Sequence, residues 1–178
     1  MRQPSAVTEA SENPKRPGQL LSLKLAAYSG YSLRMGISYH PDIGEVLWCD
    51  YSGIEPEMVK RRLCVVITPR ASQRPRLTTV VPISATPPEV VRPWHVKLDR
   101  DPLPEGLAQE VWVKCDMVSA VSFDRLGGYY KRWNRERRYR KLAVSMPELI
   151  AIREAVGAAL GLNYTPPVGR AILDPETS

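Results

Sequence analysis

Lys114 and Asp116 stand two residues apart in a stretch that alternates Val111, Val113 and Cys115 with Trp112, Lys114 and Asp116. Side chains two apart on a strand share a face. The spacing therefore sets an ammonium beside a carboxylate, a couple able to give and take protons. It equally describes a surface ion pair of small energetic worth. A second group is the run Lys131, Arg132, Arg135, Arg137, Arg138, Arg140 and Lys141, interleaved with Tyr129, Tyr130, Trp133 and Tyr139. Cations track a phosphate chain and aromatic faces stack on bases. Three other readings of the run stand beside that one: a solvated face, strand residues packing a core, or an anchor for an acidic peptide. Cys49, Cys64 and Cys115 form no CxxC pair, and His40 and His95 are the only histidines. No Cys/His spacing suits zinc, so neither a metal nor a cofactor is expected, and both histidines read as structural.

These side chains need elements to hold them. Short apolar runs at Glu45 to Tyr51, Leu63 to Thr68, Leu77 to Ser84, Trp94 to Leu98, Glu110 to Met117 and Arg137 to Val144 read as strands. Pro82 near the end of the third marks a bulge or a sheet edge. Close spacing of short strands predicts a small barrel. Ser145-Met146-Pro147-Glu148 is a capping box with proline in the first turn. Leu149, Ile152, Val156 and Leu160 follow as the apolar face of a helix, and Gly161 stops it.

The flanks differ in composition. Residues 1–34, broken by Pro4, Pro14 and Pro17, read as a loose arm with a short helix at Leu20 to Leu25, and Met35 suits a native start. The tail from Asn163 holds Pro166, Pro167 and Pro175 and reads as flexible. The 178 residues suffice for one core. A net charge of +6 suits an anionic partner: nucleic acid, acidic protein or membrane surface. No apolar run nears the length of about 20 residues that spans a bilayer. The unpaired cysteine set suits a reducing cytoplasm.

Four blocks, in order, carry a resemblance. Gly44-Glu45-Val46-Leu47-Trp48-Cys49-Asp50 is similar to an opening strand GDIVWVDF. Glu57 to Arg62, running into Leu63 to Pro69, is similar to E-x4-RP-x-VV-x-SP. Val80-Val81-Pro82-Ile83-Ser84 is similar to VVP-x-T/S, and Lys114-Cys115-Asp116-Met117-Val118 to R-C-D-Q-x-R. Together they resemble the PemK/MazF toxin family over about residues 35–162. The resemblance implies a mainly β fold, a small SH3-like twisted barrel with a C-terminal helix, usually a homodimer. It implies a cytoplasmic endoribonuclease of a type II toxin–antitoxin pair, whose partners are single-stranded RNA and a cognate acidic antitoxin.

Such enzymes cut by attack of the ribose 2′-OH on the adjacent phosphorus, without a metal. By residue match, Asp116 is the base, Lys114 the acid and Arg62 the cation at the phosphorane. Ser84 donates a hydrogen bond to the phosphate, and Glu57 orients Arg62 or shares in proton transfer. Lys60 and Arg61 read as RNA-backbone contacts or as plain solvated charge, and Arg137, Arg138 and Arg140 of the basic run are candidate RNA contacts beside its other readings. Lys114 replaces the usual Arg and gives up a proton more readily. Leu63 stands where the family usually has Pro. Two alternatives stay open: a gyrase-poison-like toxin of the same fold that binds protein, and a barrel that binds RNA without cutting it.

Overall fold

The computed structural model of the protein describes residues 36–70, 73–104, 110–133 and 136–162. The expected arm, its short helix and the tail lie outside them. Among the described residues the strands run β1 (Glu45–Asp50), β2 (Arg61–Val66), β3 (Leu77–Ser84), β4 (His95–Leu98), β5 (Val111–Lys114), β6 (Ser119–Ser122), β7 (Leu126–Gly127), β8 (Tyr130–Trp133), β9 (Glu136–Tyr139) and β10 (Leu142–Ala143). Helix α1 (Met146–Ala159) follows.

β10, β1, β2, β3, β5 and β4 pair antiparallel in that order, with β7 also on β1 and β6 also on β3. Each outer side is thus shared. β1 pairs β10 at Glu45 and Val46, then β7 at Trp48 and Cys49. β3 pairs β6 from Leu77 to Val80, then β5 at Ile83 and Ser84. This switching wraps the sheet into a half-barrel. Pro82 lies in a central strand, opposite Cys64, and neither a sheet edge nor a bulge is needed to explain it. It sits where the outer partner of β3 changes, so its missing N–H costs no ladder bond there.

Strict alternation along β1 to β3 gives the sheet two apolar faces. Val46, Trp48, Leu63, Val65, Val81, Ile83, Val111 and Val113 form one core with Ile152 and Ala155 of α1. Leu47, Cys49, Tyr51, Cys64, Val66 and Val80 form the other with Ile37, Phe123 and Leu126. A strand buried on both sides reads as a continuous apolar run, which is why β2 and β3 stand out in the sequence.

Some boundaries differ from expectation. β2 starts at Arg61, so Arg61 and Arg62 lie inside the strand rather than before it. The single strand expected over residues 137–144 is two strands. The Arg140 N–H donates to the Tyr129 carbonyl at 2.9 Å, and the chain then crosses from the β8–β9 hairpin to β1. The capping box is present at Ser145 and Glu148. Leu149, Ile152 and Ala155 face the sheet, while Leu160 is 61% exposed. The helix ends at Ala159, and Leu160 caps it ahead of Gly161, whose φ of 69° favours glycine.

A buried carboxylate anchors the basic hairpin. Glu45, 1% exposed, accepts hydrogen bonds from the Tyr39 hydroxyl at 2.5 Å, the Tyr139 hydroxyl at 2.6 Å and the Asp42 N–H at 2.9 Å. Burial pushes both phenols well above their ordinary range, and the bond to Glu45 pushes them further. An ion pair from Lys141 to Asp42 closes the same corner. Gly44, with φ of 82°, makes the turn into β1; a Cβ there would stand 3.4 Å from Leu149 Cδ2.

Candidate active site on the β2–β3–β5 face

Arg62 is the Cα partner of Cys49, so it projects from the face that carries Cys49, Cys64 and Tyr51. Its Nε donates to Met58 Sδ at 2.9 Å. Sulfur is a weak acceptor, and among the described residues no carboxylate pairs with the guanidinium. Among the described residues the Nη hydrogens of Arg62 meet no acceptor. The Tyr51 phenol lies buried nearby, and among the described residues its hydroxyl meets no conventional hydrogen-bond partner. Burial holds that phenol well above its ordinary range, and the charge of Arg62 only partly opposes the shift.

The register carries this face across the sheet. Cys64 faces Pro82 and Ser84 faces Trp112. Continuing the β2–β3 ladder by two residues sets Ser84 opposite Arg62. Lys114, two residues beyond Trp112 on β5, shares the face. On the next strand His95 is the Cα partner of Lys114, and Lys97 that of Trp112. One sheet face therefore gathers Arg62, Ser84, Trp112, Lys114, His95 and Lys97 from four adjacent strands. Lys97 Nζ lies 5.9 Å from the Trp112 ring centre and pairs with Glu110 at 2.5 Å. The Lys97 bond holds the Glu110 carboxyl below its usual range, with help from Trp112 Nε1–H.

The remaining sequence candidates fall as follows. β5 ends at Lys114, so Asp116 lies in an exposed turn past the strand and not on it. The turn is closed by the Met117 N–H on the Lys114 carbonyl at 3.2 Å. No ion pair joins Asp116 to Lys114, so the ammonium at the end of β5 and the carboxylate in the turn after it are separate groups. Burial pushes the intervening Cys115 thiol up to about 12, with the Asp116 charge adding to it.

Glu57 does not touch Arg62. Its carboxylate accepts from the Ile54 N–H at 3.2 Å and braces the loop that presents Met58. Ser84 is 6% exposed, and its hydroxyl donates to the Thr86 carbonyl at 3.2 Å while accepting the Thr86 N–H at 3.1 Å. It is closed into a turn, not extended toward solvent. Lys60 is exposed at the mouth of β2, and Arg61 pairs with Asp50 at 3.8 Å.

In the β8–β9 hairpin, Lys131 faces Arg138 and Arg132 faces Arg137 in register. Arg138 and Arg140 are exposed, and Arg138 pairs with Glu136 at 3.6 Å. The side chain of Arg137 lies outside what is described. Cys49, Cys64 and Cys115 are free thiols, all buried.

Sequence reasoning missed His95 as a neighbour of Lys114. The signal was present in the alternation of residues 94–98 against 111–115, but it needs the β4–β5 register to be read.

Fold and site describe a small antiparallel half-barrel whose one face collects cations from adjacent strands. The sequence matches the PemK-like, MazF-like toxins of type II toxin–antitoxin systems over residues 42–142, more than half of the chain, and the protein belongs to that family. An uncharacterized protein of Haemophilus influenzae is 29% identical over 141 residues, covering 70% of this chain and 96% of that one. The Escherichia coli protein YifN is 30% identical over 128 residues, covering 60% and 80%. Among solved structures, a mycobacterial endoribonuclease in complex with its cognate antitoxin is similar at a TM-score of 0.50 and 20% identity, covering 71% of this chain and 100% of that one. MazF from Deinococcus radiodurans is similar at a TM-score of 0.50 and 21% identity, covering 70% and 99%. At such identity these two likenesses concern the fold.

Proposed function

We propose that this protein is an endoribonuclease toxin that cuts single-stranded RNA by attack of the 2′-OH on the neighbouring phosphorus. The observation that carries the reading is Arg62: a half-buried guanidinium with no carboxylate partner among the described residues, on the same sheet face as Lys114, in a chain of the toxin family. A cation left unpaired at that depth is held for an anion that arrives.

In this reading a non-bridging oxygen of the scissile phosphate lies between Arg62 and Lys114. Asp116 takes the 2′-OH proton as the 2′-oxygen bonds to phosphorus. The bond from phosphorus to the 5′-oxygen breaks, and Lys114 gives that oxygen its proton. The products are a 2′,3′-cyclic phosphate and a 5′-OH end. Arg62 balances the extra negative charge of the phosphorane. Because the substrate supplies its own nucleophile, no metal is required. Glu57 supports the site through the loop that carries Met58, and Ser84 forms its floor. Lys60, Arg61, Arg137, Arg138 and Arg140 extend the basic track along the RNA.

A cognate acidic antitoxin and a homodimeric state complete the proposal. The net charge of +6 and the solved endoribonuclease–antitoxin complex of the same fold support the first. Resemblance to a usually dimeric family supports the second. Incubation with unstructured RNA in EDTA tests the chemistry. Cleavage with cyclic-phosphate ends is expected, and an RNA carrying 2′-deoxyribose at the cut position should bind and stay whole. Cutting of that substrate would overturn the 2′-OH mechanism. Binding without any cutting would favour a non-catalytic barrel.

A further inference from the structure

We propose that His95 is a substrate-contacting residue of this site, donating a hydrogen bond from Nε2–H to a non-bridging oxygen of the RNA phosphate that Lys114 serves. The inference rests on the endoribonuclease reading above and adds a residue to it.

Three observations place the ring. His95 is the direct Cα partner of Lys114 across the β4–β5 ladder, and opposed residues have Cβ atoms about 4.5–5.5 Å apart on one face. The ring is pinned by two contacts: the Arg92 N–H donates to Nδ1 at 3.1 Å, and the Trp94 ring meets it at 71° with centres 6.3 Å apart. The His95 N–H returns to the Arg92 carbonyl at 2.9 Å, so the turn holding the imidazole is closed on both sides. The side chain is half-buried, and among the described residues its Nε2 meets no hydrogen-bond acceptor.

The Arg92 bond decides the chemistry. An Nδ1 that accepts an N–H has its lone pair occupied, so the neutral ring carries its hydrogen on Nε2. Nε2 is then a donor in either protonation state and not a general base. The charged groups placed beside it are Lys114 on β5, Lys97 two residues along β4 and paired with Glu110, and Asp116 in the turn past β5. A fixed donor directly opposite Lys114, which is unpaired among the described residues, suits an anionic acceptor, and on RNA that is a phosphate oxygen rather than a base edge.

The test uses the full chain and an oligoribonucleotide spanning a site that the wild type cuts. His95→Ala should lower kcat/KM by about 10- to 100-fold, the scale of a hydrogen bond to a charged group. His95→Gln should recover most of that loss, since the glutamine amide nitrogen reaches near the place of Nε2. The shape of the pH–rate profile should be the same in all three proteins, and circular dichroism should give equal melting temperatures. Wild-type rates in His95→Ala would overturn the inference and leave the endoribonuclease reading intact. A glutamine variant no better than alanine would overturn the donor assignment. Loss of one limb of the pH profile would make His95 an acid or base instead. A wild type that cuts no RNA would overturn both readings together.

Discussion

Each candidate residue makes a different claim on the chemistry. Arg62→Ala removes the unpaired guanidinium, and Asp116→Asn and Lys114→Ala remove the proposed base and acid. Each should slow cleavage by about 10²–10⁴-fold, while Asp116→Asn leaves RNA affinity equal or tighter because a negative charge is gone. Single-turnover rates and a binding titration on the same RNA check this. If Arg62→Ala abolishes cutting and Asp116→Asn does not, the base assignment fails. Glu57→Gln separates two roles: the amide oxygen still accepts from Ile54 N–H, so a loop brace predicts rates within a few-fold of wild type. A loss of the size seen for Asp116 would instead give Glu57 a proton-transfer role. The place of Arg62 at the head of β2 was legible from the motif, whereas its guanidinium's want of a carboxylate among the described residues was not. The engagement of Ser84 with Thr86 was not legible, since nothing in a strand-end serine says which way its hydroxyl turns. The separation of Asp116 from Lys114 was hidden for a related reason: the alternation of residues 111–116 continues past the last strand residue, Lys114.

At the scale of elements, the sequence showed best what is buried on both sides. β3 falls on the predicted residues because Val80 packs in one apolar core while Val81 and Ile83 pack in the other. The hairpin β8–β9 was blurred because its charge pattern has no buried face to set a period. Its anchor, Glu45, opens the first predicted strand and is almost fully buried under Tyr39 and Tyr139, a burial no sequence pattern signalled. That anchor gives an alkaline signature. Both phenols are raised, first by burial and then by Glu45. The folded state therefore binds their protons more tightly than the unfolded chain, where tyrosine ionises near about pH 10. Their contribution is complete below that pH and is lost as pH rises through the folded values. Urea unfolding should show stability falling above about pH 10. Tyr139→Phe should shallow that fall while lowering neutral-pH stability by about 1–2 kcal/mol for the lost hydrogen bond to a charged group. An equally steep alkaline fall in Tyr139→Phe would remove Tyr139 from the account.

For the whole molecule, two properties follow from the fold's own edges and charge. The Gly36 N–H donates to the Leu126 carbonyl at 2.7 Å and Ile37 is 5% exposed in the second core. A chain beginning at Met35 should therefore keep its melting temperature and its RNA cleavage, and a drop of more than a few degrees would make residues before it part of the fold. The second property is the division of labour within a basic chain. Phosphate contacts release counterions, so log K falls with log salt at a slope of about 0.7 per phosphate on a single strand. Charge that merely attracts from a distance is screened within about 8–10 Å at physiological salt and adds little to that slope. Arg138 and Arg140 are exposed on and beside the β9 strand, and Arg137 on the same strand is the Cα partner of Arg132. If the hairpin grips RNA, replacing these three arginines by alanine should flatten the slope by up to about 2 units. The Arg62 to Lys114 face should still cut, at lower affinity. If the hairpin instead receives an acidic antitoxin segment, the RNA slope should stay at its wild-type value. Binding of an acidic peptide would then weaken, chiefly through a slower, less salt-sensitive association. Measuring both titrations across 50–300 mM salt on one triple variant assigns the hairpin to one partner or the other, because only a phosphate contact changes the RNA slope.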